Sequence, residues 1–176
     1  MFSITTDQTN KDAILSKDDY LKMLDGFESR LKPPQMQFIK DCWIFRGDAS
    51  QTSLKGYGAE PLIASIKEKT LVYCAPRAGA AADAIAKIAE LYDKRVVFFC
   101  PASKEVSDQQ ASLLTYSNTE LRFIKIAAMP VLNKYAKDWA DANDAKFLPF
   151  GLANSPLVTA GLIHTAARMK VNPTQI

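Results

Sequence analysis

The sequence predicts an α/β protein. The expected form is a three-layer sandwich on a parallel, Rossmann-like sheet of about four strands, plus an N-terminal strand. Three observations carry this. Runs rich in branched and aromatic residues recur at 70–75, 95–100, 120–126 and 146–150, each followed by apolar residues at helical spacing. The run Arg95-Val96-Val97-Phe98-Phe99-Cys100 is almost wholly apolar, as in a strand covered on both faces. Strand–helix units in series favour parallel neighbours joined by right-handed crossovers.

In order along the chain, residues 1–17 are polar and expected to lie over the surface. A short helix follows over 18–27, with Tyr20, Leu21 and Leu24 on one side. Leu31-Lys32-Pro33-Pro34 is a stiff linker, because proline restricts itself and the residue before it. This divides the chain into an N-terminal polar arm and short helix, 1–34, and an α/β domain, 35–176. Residues 37–45 predict one strand, closed by Arg46-Gly47-Asp48 as a turn. After the strand at 70–75, a helix over 79–92 places Ile85, Ile88 and Leu91 on one face and Asp83, Lys87 and Glu90 on the other. Ser107-Asp108-Gln109-Gln110 has the form of a capping box for a helix carrying Leu113 and Leu114. Pro130 can start a helix running to Ala142, with Leu132, Tyr135 and Trp139 inward. Ser155-Pro156 then opens a helix bearing Val158, Leu162, Thr165 and Met169.

Composition narrows the function. The chain has 176 residues, 48% hydrophobic and 23% charged, with a net charge of +3. Its Lys and Arg are scattered rather than striped, so nothing points to nucleic acid. No run is long enough for a membrane helix, and the polar opening does not resemble a signal peptide. Cys42, Cys74 and Cys100 lie in apolar segments without metal spacing. An odd number of buried thiols suits a reducing cytoplasm. With His164 the only histidine, a multi-histidine zinc site is excluded.

In parallel sheets ligands bind outside the carboxyl ends of the strands. That selects the loop at 76–80 and the loop Phe150-Gly151-Leu152-Ala153-Asn154-Ser155. In the first, small residues crowd a strand-to-helix turn, where amides near Gly79, Ala80 and Ala81 suit an anionic group. Arg77 can pair with a carboxylate or phosphate. The same small residues also fit close packing of the helix on the sheet, and Arg77 also fits an exposed loop position. Asn154 and Ser155 can donate to a substrate carboxylate, although Ser155 equally reads as a helix cap. Tyr57 can stack on a planar ring or pack on the surface. His164, Cys74 and the aromatic residues Phe38, Phe98 and Phe99 read as core.

The order of these signals resembles a known family. Lys55-Gly56-Tyr57-Gly58-Ala59-Glu60-Pro61-Leu62 is similar to the lysine segment of fold-type II pyridoxal-phosphate enzymes, in the aminocyclopropane-carboxylate deaminase and D-cysteine desulfhydrase branch. In that family the cofactor lysine opens a helix, with a glutamate five residues later, as Glu60 follows Lys55. Trp43-Ile44-Phe45-Arg46-Gly47-Asp48 resembles the group's upstream strand and turn, and Phe147-Leu148-Pro149-Phe150-Gly151-Leu152 its later strand before a Pro-x-Gly turn. The likeness runs over about residues 37–176. It implies Lys55 as the catalytic, cofactor-bearing lysine, and pyridoxal phosphate as cofactor, bound through Gly79, Ala80, Ala81 and Arg77. It implies a small amino acid as substrate, met by Tyr57, Asn154 and Ser155. It departs from the family where a Ser-Asn pair falls on Gly79 and Ala80, and where Gly-Asn before the lysine reads Ser53-Leu54. The family's phosphate-cradling glycine loop comes after a further strand, to which Pro173-Thr174-Gln175-Ile176 resembles the lead-in. The expectation is therefore a pyridoxal-phosphate-dependent lyase or deaminase, or an incomplete or degenerate relative, cytoplasmic and homo-oligomeric. The alternatives are a non-catalytic binding module on the same scaffold and an unrelated Rossmann-like phosphate- or nucleotide-binding domain.

Overall fold

The computed structural model describes residues 15–125 and 128–169. Most of the polar arm, the end of the strand expected at 126, and the closing segment from Val171 to Ile176 lie outside the described residues. The chain divides into two compact units, Met1–Ser65 with Ser155–Ile176, and Ile66–Asn154.

The second unit holds the parallel sheet. Strands β3 (Thr70–Cys74), β4 (Arg95–Pro101), β5 (Thr119–Ile124) and β6 (Lys146–Leu148) lie in the order β5-β4-β3-β6, all pairs parallel. Helices α3 (Ala81–Leu91), α4 (Asp108–Leu113) and α5 (Met129–Ala142) connect them in turn. Alternation along the strands sorts the core. Val72, Cys74, Val97 and Phe99 meet Leu132, Ala136 and Ala140 of α5. Leu71, Tyr73, Val96, Phe98 and Cys100 point the other way and are fully buried, on the face where α3, with Ile85 and Ile88 buried, lies against β4. The result is helix, sheet, helix, as the apolar runs predict.

Several expectations are adjusted. The inward face of α5 is Leu132, Ala136 and Ala140, with Trp139 partly buried against it, whereas Tyr135 is 53% exposed. Trp139 is further held by Arg122 of β5, whose guanidinium lies 4.3 Å from the ring centre. The capping box at α4 is formed in both directions, Ser107 with Gln110. Leu113 is buried but Leu114, at the helix end, is 63% exposed. At the amino end of the sheet, Lys94 is buried and its Nζ donates to the carbonyls of Ile66 (2.6 Å) and Glu68 (2.9 Å).

In the first unit, the expected single strand at 37–45 is a hairpin. β1 (Met36–Ile39) and β2 (Cys42–Phe45) pair antiparallel around Lys40 and Asp41, which both have positive φ (46° and 61°), as a two-residue turn matched to strand twist requires. Phe38, Ile39 and Ile44 are exposed, so Phe38 is not core, and Cys42 is exposed, so not all three thiols are buried. Helix α1 (Lys17–Lys22) starts on a Ser16–Asp19 capping box. Helices α2 (Leu54–Ser65) and α6 (Pro156–Arg168) pack closely through Gly58 and Gly161. The buried residues of α6 are Ala160, Gly161 and Thr165; Leu162 is exposed.

His164 of α6 packs edge-on to Phe27 at 5.9 Å. Burial, assisted by Arg168 and opposed by Glu60, lowers its pKa below 6.5. The folded state therefore takes up a proton less readily than the unfolded chain, so stability rises with pH between the depressed value and 6.5. We expect a lower urea midpoint at pH 5.5 than at pH 7.5, and a smaller difference in His164→Gln. An equal pH response in the two proteins would remove His164 from the account.

Candidate functional site

From β3 the chain winds through β4 to β5, and α5 then brings it back to lay β6 on the other side of β3. The loops leaving β3 and β6 therefore part at their carboxyl ends, the crevice where open α/β sheets bind ligands. Both loops singled out in the sequence begin here. Tyr73, buried in β3, joins them: its hydroxyl accepts the N–H of Gly151 at 3.2 Å. Beyond β6 the backbone turns sharply, with positive φ at Gly151 (66°), Leu152 (55°) and Asn154 (58°). Asn154 is exposed at the end of this turn.

The turn after β3 carries Arg77, Gly79, Ala80 and Ala81 together. Arg77, Gly79 and Ala80 are exposed and Ala81 is buried as the first residue of α3. Gly79 has φ of +136°, and an added Cβ would meet only Pro76 Cγ, at 3.8 Å. Conformation rather than crowding thus demands glycine here. No side chain caps α3. The turn is instead held from α4: the Gly79 N–H donates to Gln109 Oε1 (2.5 Å), and Ser107 Oγ donates to the Arg77 carbonyl (2.7 Å). A cavity of about 240 Å³ opens beside it, lined by Gly79, Ala80, Asp83, Gln109, Ser112 and neighbouring apolar side chains. Asp83 accepts from the Tyr116 hydroxyl at 2.8 Å. Burial, reinforced by this carboxylate, raises the Tyr116 pKa. Burial also pushes the Cys74 and Cys100 thiols up to about 12, so neither is a ready nucleophile.

The first unit holds Lys55, Tyr57 and Ser155. Lys55 is exposed at the second position of α2. Tyr57 is buried, donates its hydroxyl to the Lys32 carbonyl (3.1 Å) and meets Phe45 edge-on. Its ring offers no open face for stacking in this arrangement. Ser155 stands at the N-cap of α6, but its side chain makes no capping bond. Glu60, also buried, accepts from Ser29 Oγ (2.6 Å) and from the amides of Arg30 (2.6 Å) and Leu31 (3.3 Å). It is bound to that segment, and Asp48 is engaged separately by Arg46.

With the loops and side chains placed, the chain can be set beside proteins of known structure. Its fold is similar to that of an ACC deaminase homologue. The TM-score is 0.67 at 16% identity, over 86% of this chain and 55% of that one. Maize serine racemase follows at 0.62 and 12%, over 82% and 45%. A threonine deaminase from T.th. gives 0.60 and 18%, over 89% and 53%. This chain thus spans about half the length of the structures it matches. At such identities the likeness is one of fold. No family model and no curated protein sequence matches. No helix among the described residues is long and apolar enough to cross a membrane, and among them no three His, Cys, Asp or Glu residues group as metal ligands.

Sequence reasoning did not select Tyr73, Gln109 or Asp83. Tyr73 is hidden in an apolar strand run. Gln109 sits inside the capping box, where Gln110 is the residue that closes the box. Asp83 carries the ordinary signature of a helix first turn.

Proposed function

We propose that the chain is a pyridoxal-phosphate-dependent lyase or deaminase scaffold for a small amino acid, with Lys55 as the residue that meets the cofactor's aldehyde. What carries this reading is the agreement of two separate lines. The 55–62 segment resembles the lysine helix of the aminocyclopropane-carboxylate deaminase branch, and the fold is shared with an ACC deaminase homologue over 86% of this chain.

When bound, pyridoxal phosphate supplies the electron sink for chemistry at the α-carbon of an amino acid. The chain's residues fit an aldehyde and an anion. Lys55 presents an exposed amine on the first turn of α2. The uncapped start of α3 offers the amides near Ala80 and Ala81, with Arg77 as a further cation. The Gly79 amide joins them only if Gln109 releases it. In this reading Asn154 and Ser155 meet the substrate carboxylate, while Tyr57, buried and bonded to the Lys32 carbonyl, serves the packing of α2 rather than the ligand, and the protein is a cytoplasmic homo-oligomer. Sedimentation of the purified chain tests the last point.

A second reading, a non-catalytic module on the same scaffold, is favoured by one cluster. Gln109 already occupies the Gly79 amide, and the Asp83 carboxylate lines the same cavity, where it opposes an incoming anion.

Borohydride reduction after incubation with pyridoxal phosphate, followed by peptide mapping, separates the two. The enzyme reading expects one pyridoxyl group on Lys55, lost in Lys55→Ala. Label spread over several surface lysines in both proteins would refute it.

A further inference from the structure

A 12-residue helix, α2, begins at Leu54, immediately after two hydroxyl residues with buried, unsatisfied oxygens. Thr52 is 5% exposed and its Oγ1 has no hydrogen-bond partner among the described residues; Ser53 Oγ is likewise buried and unpartnered among them. Thr52 Oγ1 is directed at the first turn: a Cβ added to Gly56, the third residue of α2, would lie 2.2 Å from it. The Ser53 carbonyl already accepts the amides of Gly56 and Tyr57, while the hydroxyl proton of the same residue finds no acceptor.

A buried hydroxyl without a partner costs on the order of 1–3 kcal/mol, and folded proteins seldom leave two such groups side by side. Both can donate. The first amides of a helix also point out of its start with the positive end of the dipole. Unlike α3, α2 has no acidic residue in its first turn. Lys55 adds an ammonium there. Thr52 and Ser53 thus add, at the positive end of α2 and beside the Lys55 ammonium, two hydroxyl donors that have no acceptor among the described residues.

We propose that Thr52 and Ser53 are ligand-binding residues, donating their hydroxyl protons to an oxyanion, phosphate or carboxylate, held at the start of α2 beside Lys55. This deepens the reading of Lys55 given above and takes the identity of its ligand from it. The oxyanion contact itself needs no covalent step. Thr52→Val keeps the shape against Gly56 and removes the donor; Thr52→Ser restores the donor; Ser53→Ala removes the second.

Calorimetry with inorganic phosphate, acetate, pyridoxal phosphate and pyridoxal, together with borohydride mapping of Lys55, tests the proposal. The expected result is a roughly tenfold or greater loss of phosphate or acetate affinity in Thr52→Val and in Ser53→Ala, with affinity regained in Thr52→Ser. Tighter binding of pyridoxal phosphate than of pyridoxal identifies phosphate as the oxyanion; equal binding with acetate preferred identifies a carboxylate. Hydroxyl-dependent phosphate binding without label on Lys55 would keep the proposal and defeat the cofactor reading. Label on Lys55 with anion affinities unchanged in the variants would keep the cofactor reading and overturn the proposal. No anion binding by the wild type, or variants that only gain thermal stability, would also overturn it.

Discussion

Replacing Gly161 by alanine is expected to destabilise the first unit by about 2 kcal/mol, although alanine is the better helix former. In an unpacked helix interior the change would gain about 1 kcal/mol. Here the new Cβ would lie 2.7 Å from the Gly58 carbonyl oxygen and 2.8 Å from Pro61 Cγ. The carbonyl belongs to the backbone of α2 and the proline ring is rigid, so neither can move aside cheaply. Overpacking of this kind costs about 1–3 kcal/mol and more where backbone must shift. The two helices would be driven apart along the line where Gly58 and Gly161 let them touch. Gly58→Ala is the milder partner, because its Cβ would meet the side chains of Leu162 and Val158 at 3.1 and 3.2 Å, and Leu162 is exposed and can yield. Urea denaturation of the two variants checks the order. A Gly161→Ala protein at least as stable as wild type would refute the close approach of α2 and α6.

That contact also marks where the sequence ceases to be legible. The strands of the sheet announce themselves because β-branched and aromatic residues are large and contiguous, and the second unit follows from them almost directly. In α5 and α6 much of the contact is made by small residues instead. Ala136 and Ala140 beside Leu132 in α5, and Ala160 and Gly161 in α6, form the touching surfaces, while a search for large apolar side chains finds Leu132 but also selects Tyr135 and Leu162, which face outward. The hairpin was hidden for a related reason. Its turn is Lys40-Asp41, with neither glycine nor asparagine to signal positive φ, inside an otherwise continuous apolar run.

The candidate site was legible where it depends on topology and obscure where it depends on individual bonds. Strand–helix alternation locates the loops after β3 and β6 at carboxyl ends. The sheet order then makes their strands neighbours, which no local pattern encodes. The glycine at position 79 reads as permission for a ligand's close approach, yet its surroundings are open and its backbone angle is what requires it. Gln109 reaches Gly79 from 30 residues away, a distance over which sequence spacing carries no information. The orphaned hydroxyls of Thr52 and Ser53 are ordinary residues in sequence and become unusual only through burial.

Glu60→Ala is expected to give the largest loss, about 3 kcal/mol or more, and to free the 29–31 segment from α2. The sequence marks Glu60 by its spacing from Lys55 but assigns it no physical task; the structure supplies one. Its carboxylate is the buried acceptor for Ser29 Oγ and for the amides of Arg30 and Leu31. Hydrogen bonds to a charged group contribute about 1.5–3 kcal/mol each, and donors left buried without acceptors add their desolvation cost. Leu31 is itself 2% exposed, and its carbonyl accepts from Arg168 of α6 at 2.8 Å, so loosening this segment reaches both helices. Glu60→Gln should cost clearly less. The amide oxygen can still take the Arg30 and Leu31 N–H groups, and its NH₂ can donate to Ser29 Oγ once that hydroxyl reverses. Only the assistance of the charge is then lost. Amide exchange gives the local readout: the Arg30 and Leu31 N–H groups should exchange much faster in Glu60→Ala and only modestly faster in Glu60→Gln. If both amides stay protected and the urea midpoint is unchanged in the alanine variant, Glu60 does not hold this segment, and its place five residues after Lys55 must be explained by the site instead.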